Sequence, residues 1–298
     1  MFMRPCVCLI TFCVLSTLAH AAPSFTASYV DGSVAQRTGA SWQELSIGDS
    51  VSLDAIIRLE AGATVQLKGM GSDISLTQQG TYAMRDLLAA RQKIGSPGVG
   101  RVLSSTLARL LKGPANNQRT AAGARGDNVS GSDDSGWVET AAQDDIQHAR
   151  DSIQAGRYDE AIDTLTRTLG EATAEEIPEI RFYLAYSYSA RGDTPTAIRQ
   201  LAGAKAVSGA SWANDYVLLQ GKLFLDTFAF SQAVQWLTQP GNDLSDDVQC
   251  APLYYFLLGL GFRGAGDEQN ATRSLQRVAI LAGESDMGQE ASRLLRNQ

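Results

Sequence analysis

Histidine is almost missing from this chain, with two residues in 298, and three of its four cysteines fall within the first 13 positions. Because His20 lies in the leader described below, His148 is the one imidazole of the remainder. A serine hydrolase triad would need that histidine beside a Gly-x-Ser-x-Gly turn, which the sequence lacks, and zinc would need further nitrogen or sulfur ligands nearby. The plainer expectation is a packing histidine. Cys250 is likewise left alone, which excludes an internal disulfide and a cysteine metal cage. It reads either as a reactive thiol or as a small apolar filler at a helix start. An excess of cations is missing too: 25 Lys and Arg face 32 Asp and Glu, a net charge of −7, which argues against nucleic acid as a partner. Finally, no apolar run approaches the roughly 18–20 residues that span a bilayer.

The longest early run, 7–18, follows Arg4 and precedes Ala19-His20-Ala21, giving the charge, apolar core and small-residue site of a secretory signal. Residues 1–21 are therefore expected to be cleaved near Ala21, leaving a periplasmic or secreted chain. A lipoprotein would need a cysteine at the cut site behind small residues, and Cys13 lies inside the apolar core instead. What remains is long enough for two domains, and its 44% hydrophobic residues allow a core in each.

From 24 to 84 the chain reads as short strands, at 26–30, 43–45, 50–59, 63–67, 73–76 and 81–84. Turn signals bound them: Asp31-Gly32, Thr38-Gly39, Gly48-Asp49, Gly62, Gly69-Met70-Gly71 and Gln79-Gly80. Alternation in Ala63-Thr64-Val65-Gln66-Leu67 and Ile74-Ser75-Leu76 predicts strands with one buried face. The order Gly32-Ser33-Val34, Trp42 with Leu45, Gly48-Asp49, Ile57-Arg58 and Val65-Gln66-Leu67 resembles the FecR-type periplasmic domain. That resemblance implies a compact β domain over 24–90, completed by an Arg-Gly strand at Arg125-Gly126-Asp127 within 118–138. It departs from the family at Gly69-Met70-Gly71-Ser72-Asp73, where Asp-Gly-Ser is usual. The cytoplasmic segment and membrane helix of the family's signal regulators find no counterpart, so sigma-factor signalling is not carried over.

Residues 91–136 read as a basic amphipathic helix with a flexible linker. No acid occurs from 87 to 126, while Arg91, Lys93, Arg101, Arg109, Lys112, Arg119 and Arg125 all do. Val99, Val102, Leu103, Thr106, Leu107, Leu110 and Leu111 recur at three-and-four spacing and predict the helix. Arg101, Arg109 and Lys112 would suit contact with an anionic surface, either lipid headgroups or cell-wall polymer. The plainer expectation is a helix packed on the β domain or against the acidic repeats.

From 141 to 298 the sequence repeats. Ala161-x3-Leu165, Ala197-x3-Leu201, Ala233-x3-Leu237 and Ala271-x3-Leu275 align with spacings of 36, 36 and 38 residues, as stacked helix pairs do. The preceding helices carry Leu184-Ala185-x2-Tyr188, Gly221-x2-Phe224 and Leu258-Gly259-x2-Phe262, which resembles the tetratricopeptide repeat. Turns are expected at Gly156-Arg157-Tyr158, Gly192-Asp193, 227–230 and Gly266-Asp267, and 285–296 reads as a closing helix. The first repeat departs from the pattern, with His148-Ala149-x2-Ser152. The resemblance implies a curved array whose first helices line a groove, at Arg150, Glu179, Phe182, Tyr186, Asp215, Lys222, Phe256 and Arg263.

The fold class expected is thus α+β and multidomain: a small all-β FecR-like module, then an all-α solenoid of tetratricopeptide-like hairpins. The function expected is a non-enzymatic envelope scaffold holding a protein or peptide in the groove, with no cofactor or metal and no nucleic acid. Cell-wall polymer or a membrane surface stands as a second contact. An envelope sensing module acting with a membrane regulator is the alternative, ahead of a cell-wall or polysaccharide enzyme. Paired acids at Asp133-Asp134, Asp144-Asp145, Glu175-Glu176 and Asp246-Asp247 fit helix starts and linkers better than acid/base catalysis. Gly259-Leu260-Gly261-Phe262-Arg263-Gly264 spells a dinucleotide-binding string, but repeat phase already accounts for its first glycine.

Overall fold

The structure, a computed structural model, describes residues 24–94, 97–111, 141–205 and 209–296. The secretory leader, Lys112, the linker and the Arg125-Gly126-Asp127 strand expected within 118–138 lie outside the described residues.

Eight strands come first: β1 (Ser24–Asp31), β2 (Val34–Arg37), β3 (Trp42–Glu44), β4 (Ser50–Ser52), β5 (Ile56–Leu59), β6 (Thr64–Gly69), β7 (Ser72–Leu76) and β8 (Gly80–Ala83). They form two antiparallel four-stranded sheets, ordered β4-β1-β6-β7 and β3-β2-β5-β8. The period-2 pattern is plain in β1, where Phe25 and Ala27 are buried between exposed neighbours. Phe25, Val51, Val65, Leu67 and Ile74 from one sheet meet Val34, Ile57 and Leu59 from the other in one core. Each such side chain contributes roughly 1.5–3 kcal/mol of burial.

The single strand expected over 50–59 is two strands. β4 pairs with β1 and β5 with β2, so the turn between them carries the chain from one sheet to the other. β2 also occupies a stretch where local alternation predicted no strand. Gly32 leads into it at φ +73°, and a Cβ there would stand 2.9 Å from the Ala63 Cα, so backbone closeness and handedness both require glycine. On the outer face Trp42 is flanked by the Arg37 and Arg58 guanidiniums, 5.0 and 4.4 Å from its ring centre.

Eleven helices follow among the described residues. Met84, expected to end a strand, opens α1 (Met84–Ile94), and α2 (Pro97–Leu110) corresponds to the basic amphipathic helix. Then come α3 (Ala141–Gln154), α4 (Tyr158–Leu169), α5 (Ile177–Ala190), α6 (Thr194–Ala202), α7 (Ala213–Asp226), α8 (Phe230–Leu237), α9 (Ala251–Gly264), α10 (Glu268–Ala282) and α11 (Asp286–Arg296). Each of α3 to α11 packs on the next. In addition α3, α5, α7, α9 and α11 touch in succession, so they form one layer with α4, α6, α8 and α10 outside it. None of the helices among the described residues is long and apolar enough to cross a membrane.

The small and large residues that recur in sequence meet in space. A Cβ on Gly221 would stand 3.0 Å from Leu237, and one on Gly259 would stand 2.9 Å from Leu275. In these two pairs the leucine four residues after the aligned alanine thus fills the hollow left by the glycine of the preceding helix. The turns inside the pairs repeat as well: Gly156, Gly192, Phe228 and Gly266 all have positive φ and are 36, 36 and 38 residues apart. Asp193 and Asp267 then cap α6 and α10 by accepting from the Thr196 and Asn270 amides.

The glycine-rich string at 259–264 lies wholly within α9, with no strand before it. Its glycines face Leu275, Val234 and Phe230, each closer than 3.1 Å to a Cβ position, so they permit helix approach rather than cradle a phosphate.

Sequence alternation predicted that β6 and β7 bury one face, but the structure buries both. Gln66 is 4% and Ser75 3% exposed, because the turn between α5 and α6 covers the outer side of the sheet. The Gln66 Nε2 donates to the Gly192 carbonyl (2.6 Å), and Arg199 donates to the Tyr29 hydroxyl (3.1 Å). Phe228 packs against both the β core and the helical core.

Candidate functional site

The layer formed by α3, α5, α7 and α9 is where the expected groove residues lie, and α2 lies along it. Val99, Val102, Leu103, Leu107 and Leu111 are buried in the helical core, while Arg101 and Arg109 point outward and are exposed. α2 packs against α3, α7, α9 and α11. It is held at two backbone points as well. The Tyr186 hydroxyl of α5 donates to the Ser104 carbonyl (3.2 Å), and Arg150 Nη2 of α3 donates to the Leu111 carbonyl (3.3 Å). The last carbonyls of a helix have no partner within it, so a cation from another helix both satisfies one and matches the negative end of the dipole.

Around this cap Arg150 is the cation facing Glu179 and Asp215, and its guanidinium stands 5.7 Å from the Tyr183 ring centre. Its Nε is buried without a hydrogen-bond partner among the described residues. Burial raises the Glu179 carboxyl, against the pull of Arg150. Asp215 is pushed up to about 7, first by burial, then with Asp247 adding to the rise and Arg150 opposing it. Burial likewise pushes the Tyr186 hydroxyl well above its ordinary range, which keeps it a proton donor to Ser104.

The other expected groove residues are placed differently. Phe182 and Phe256 are fully buried between helices, Phe182 stacked on Trp212 at 5.1 Å, so neither faces a ligand from solution. The sign was present in sequence: Pro252 to Phe262 carries no charge, and a helix apolar all round is buried on all sides. Arg263 is 5% exposed and donates through both Nη atoms to the Leu294 carbonyl, capping α11. Lys222 is 6% exposed, 2.5 Å from the Asp226 carboxylate, and donates to Ser189 Oγ (3.0 Å). The groove expected to be open is therefore covered by α2, and its aromatic members serve packing. Sequence reasoning missed Asp226 and Ser189 beside Lys222, although Lys222 and Asp226 are spaced as a helical ion pair.

The remaining chemical candidates resolve simply. His148 is exposed and 3.4 Å from Glu160, not packed in the first pair, because its side of α3 faces solvent. Cys250 is buried at the start of α9, with its thiol pushed up to about 12 by burial and the nearby Asp247 and Asp215. The acid pairs within the described residues stand at helix starts: Asp144 in the first turn of α3, Glu176 at the cap of α5, and Asp247 accepting from the Gln249 and Cys250 amides before α9. Scans against protein-family models and curated proteins return no match for this chain.

Proposed function

We propose that this chain is a non-enzymatic scaffold of the bacterial cell envelope whose tetratricopeptide-like helix pairs grip an amphipathic helix. Its own α2 holds that place until a partner helix takes it. The observation that carries this reading is the seating of α2: an apolar face buried across the first helices, with Tyr186 and Arg150 bonded to its backbone. Backbone bonds of this kind do not read side-chain identity. A foreign helix with Val or Leu at the spacing of 99, 102, 103, 107 and 111 would satisfy the same donors. The tetratricopeptide likeness draws support from the repeated glycine–leucine contacts and the positive-φ turn in every pair. The β part, read as FecR-like, acts as the rigid body against which the array is set, and export through the leader places the whole in the periplasm or outside the cell.

The test uses a labelled synthetic peptide of residues 97–111 and the full mature chain. The wild type should bind it weakly, because α2 occupies the site. A Leu103→Asp/Leu107→Asp chain should bind it at least tenfold more tightly, and adding Tyr186→Phe and Arg150→Ala should remove the gain. Equal binding by all three would sink the proposal.

A further inference from the structure

A cavity of about 420 Å³ lies where β7, α1, α2, the end of α5, α7 and α9 converge, away from the Arg150 cap. That volume falls within the roughly 300–1,000 Å³ of small-molecule sites. Its polar wall holds Asp73, Ser75, Arg91, Ser189, Lys222 and Asp226. Lys222 is more than nine-tenths buried there, and Ser75 and Ser189 are 3% and 7% exposed. Placing an ammonium at that depth carries a desolvation penalty that a leucine would avoid, and the Asp226 and Ser189 contacts only offset it. The rest of the lining is largely apolar, with Val99, Leu103, Leu225, Phe228 and Leu260.

The charges on the polar wall determine what fits. The lining carries two cations, Lys222 and Arg91, and two carboxylates, Asp226 and Asp73, with Lys222 paired to Asp226 and Arg91 donating to the Asp73 backbone carbonyl, so it is neutral as a whole. A net anion or net cation entering would leave one charge uncompensated in a partly dry space, and a purely apolar guest would strip water from four charged groups. A guest carrying one charge of each sign satisfies both halves of the wall, its carboxylate beside Arg91 and Lys222 and its ammonium beside Asp73 and Asp226. We propose that this cavity binds a zwitterionic amino acid or dipeptide with an apolar side chain, the side chain resting on α2, α7 and α9. The site stands independently of the helix-exchange reading, since its test involves no partner helix.

Calorimetry and thermal unfolding of the full mature chain provide that test, with L-leucine and dileucine as zwitterions, N-acetyl-leucine as the net anion and leucinamide as the net cation. One or both zwitterions should bind and raise the unfolding midpoint by a few degrees at saturation, while the two singly charged analogues should bind at least tenfold more weakly. Gly100 lines the cavity, and a Cβ there meets nothing within 4 Å, so Gly100→Phe adds a ring at the cavity wall and should abolish binding with helical content unchanged. Lys222→Met/Asp226→Leu removes one charge pair together and should cost at least tenfold in affinity. No binding of either zwitterion at millimolar concentration, equal binding of leucinamide or N-acetyl-leucine, or binding that survives both variants overturns the proposal.

Discussion

At the residue scale, burial decides which groups are chemically available. Cys250 combines low exposure with a thiol raised to about 12, so at pH 8 almost none is thiolate. The native chain should resist iodoacetamide for hours and label fully once unfolded in denaturant; rapid native labelling would contradict the burial. Asp215 makes a sharper prediction, because its folded carboxyl titrates near 7 and its unfolded one near 3.8. The folded state then binds the extra proton between those values, so stability from this group is full below about pH 4 and falls as pH rises to about 7. Every tenfold difference in proton affinity between the folded and unfolded carboxyl corresponds to about 1.4 kcal/mol. Asp215→Asn should therefore gain on the wild type between pH 5 and pH 8 in urea midpoints, with Glu179 contributing a residual slope of the same sign in both proteins. A constant difference across that range would mean that Asp215 does not titrate there.

At the element scale, α2 covers the layer that the tetratricopeptide resemblance reads as a groove, packing on α3, α7, α9 and α11. Leu103 and Leu107 are 4% and 2% exposed, and replacing one such leucine by alanine costs about 2–5 kcal/mol. Leu103→Asp/Leu107→Asp should thus free α2 while the sheets and the later helices stay folded. Brief trypsin treatment should then cut at the exposed Arg101 and Arg109, which helical structure protects in the wild type; equal cutting rates would contradict the docking. This element also marks how far sequence alone reaches. The stripe from Val99 to Leu111 was legible because a 3.6-residue period is a local property, and so were the paired helices, whose small–large spacing encodes a contact between neighbours. The acidic repeats were offered as one of two surfaces for the stripe, and α2 does pack on them, but the residues that receive it were not legible. Contacts such as Tyr186 to Ser104 join residues far apart in the chain, and neither segment carries a mark of the other. The same holds for Gln66 and Ser75, polar residues on the alternating face of β6 and β7 that read as solvent-facing until the α5–α6 turn covers them. The switch of sheets between β4 and β5 was hidden for another reason: both halves of 50–59 are apolar enough for one strand, and only pairing partners divide them.

At the scale of the whole molecule, Phe228 joins the β core to the helical core from a backbone position that disfavours it. Its φ is +60°, where the three equivalent turns use glycine, and a side chain in that region costs roughly 1–2 kcal/mol. The strain is retained because the ring packs on Phe230 at 5.9 Å and reaches both cores. Phe228→Gly should relieve the backbone yet still lose about 1–2 kcal/mol overall, since removal of a large aromatic from packed surroundings outweighs the relief. Calorimetry should show one wild-type transition separating into two; a stabilised variant with a single transition would show that the ring does not couple the cores. The spacing between α1 and α2 sets a further condition on any visitor to the groove. Only residues 95 and 96 separate the two helices, so α2 meets its dock at an effective concentration of order millimolar. Under the helix-exchange proposal, a competing helix free at micromolar levels would have to out-bind the resident by roughly a thousandfold merely to share occupancy, so chance amphipathic helices would be turned away and a partner delivered by its own tether favoured over one arriving by diffusion.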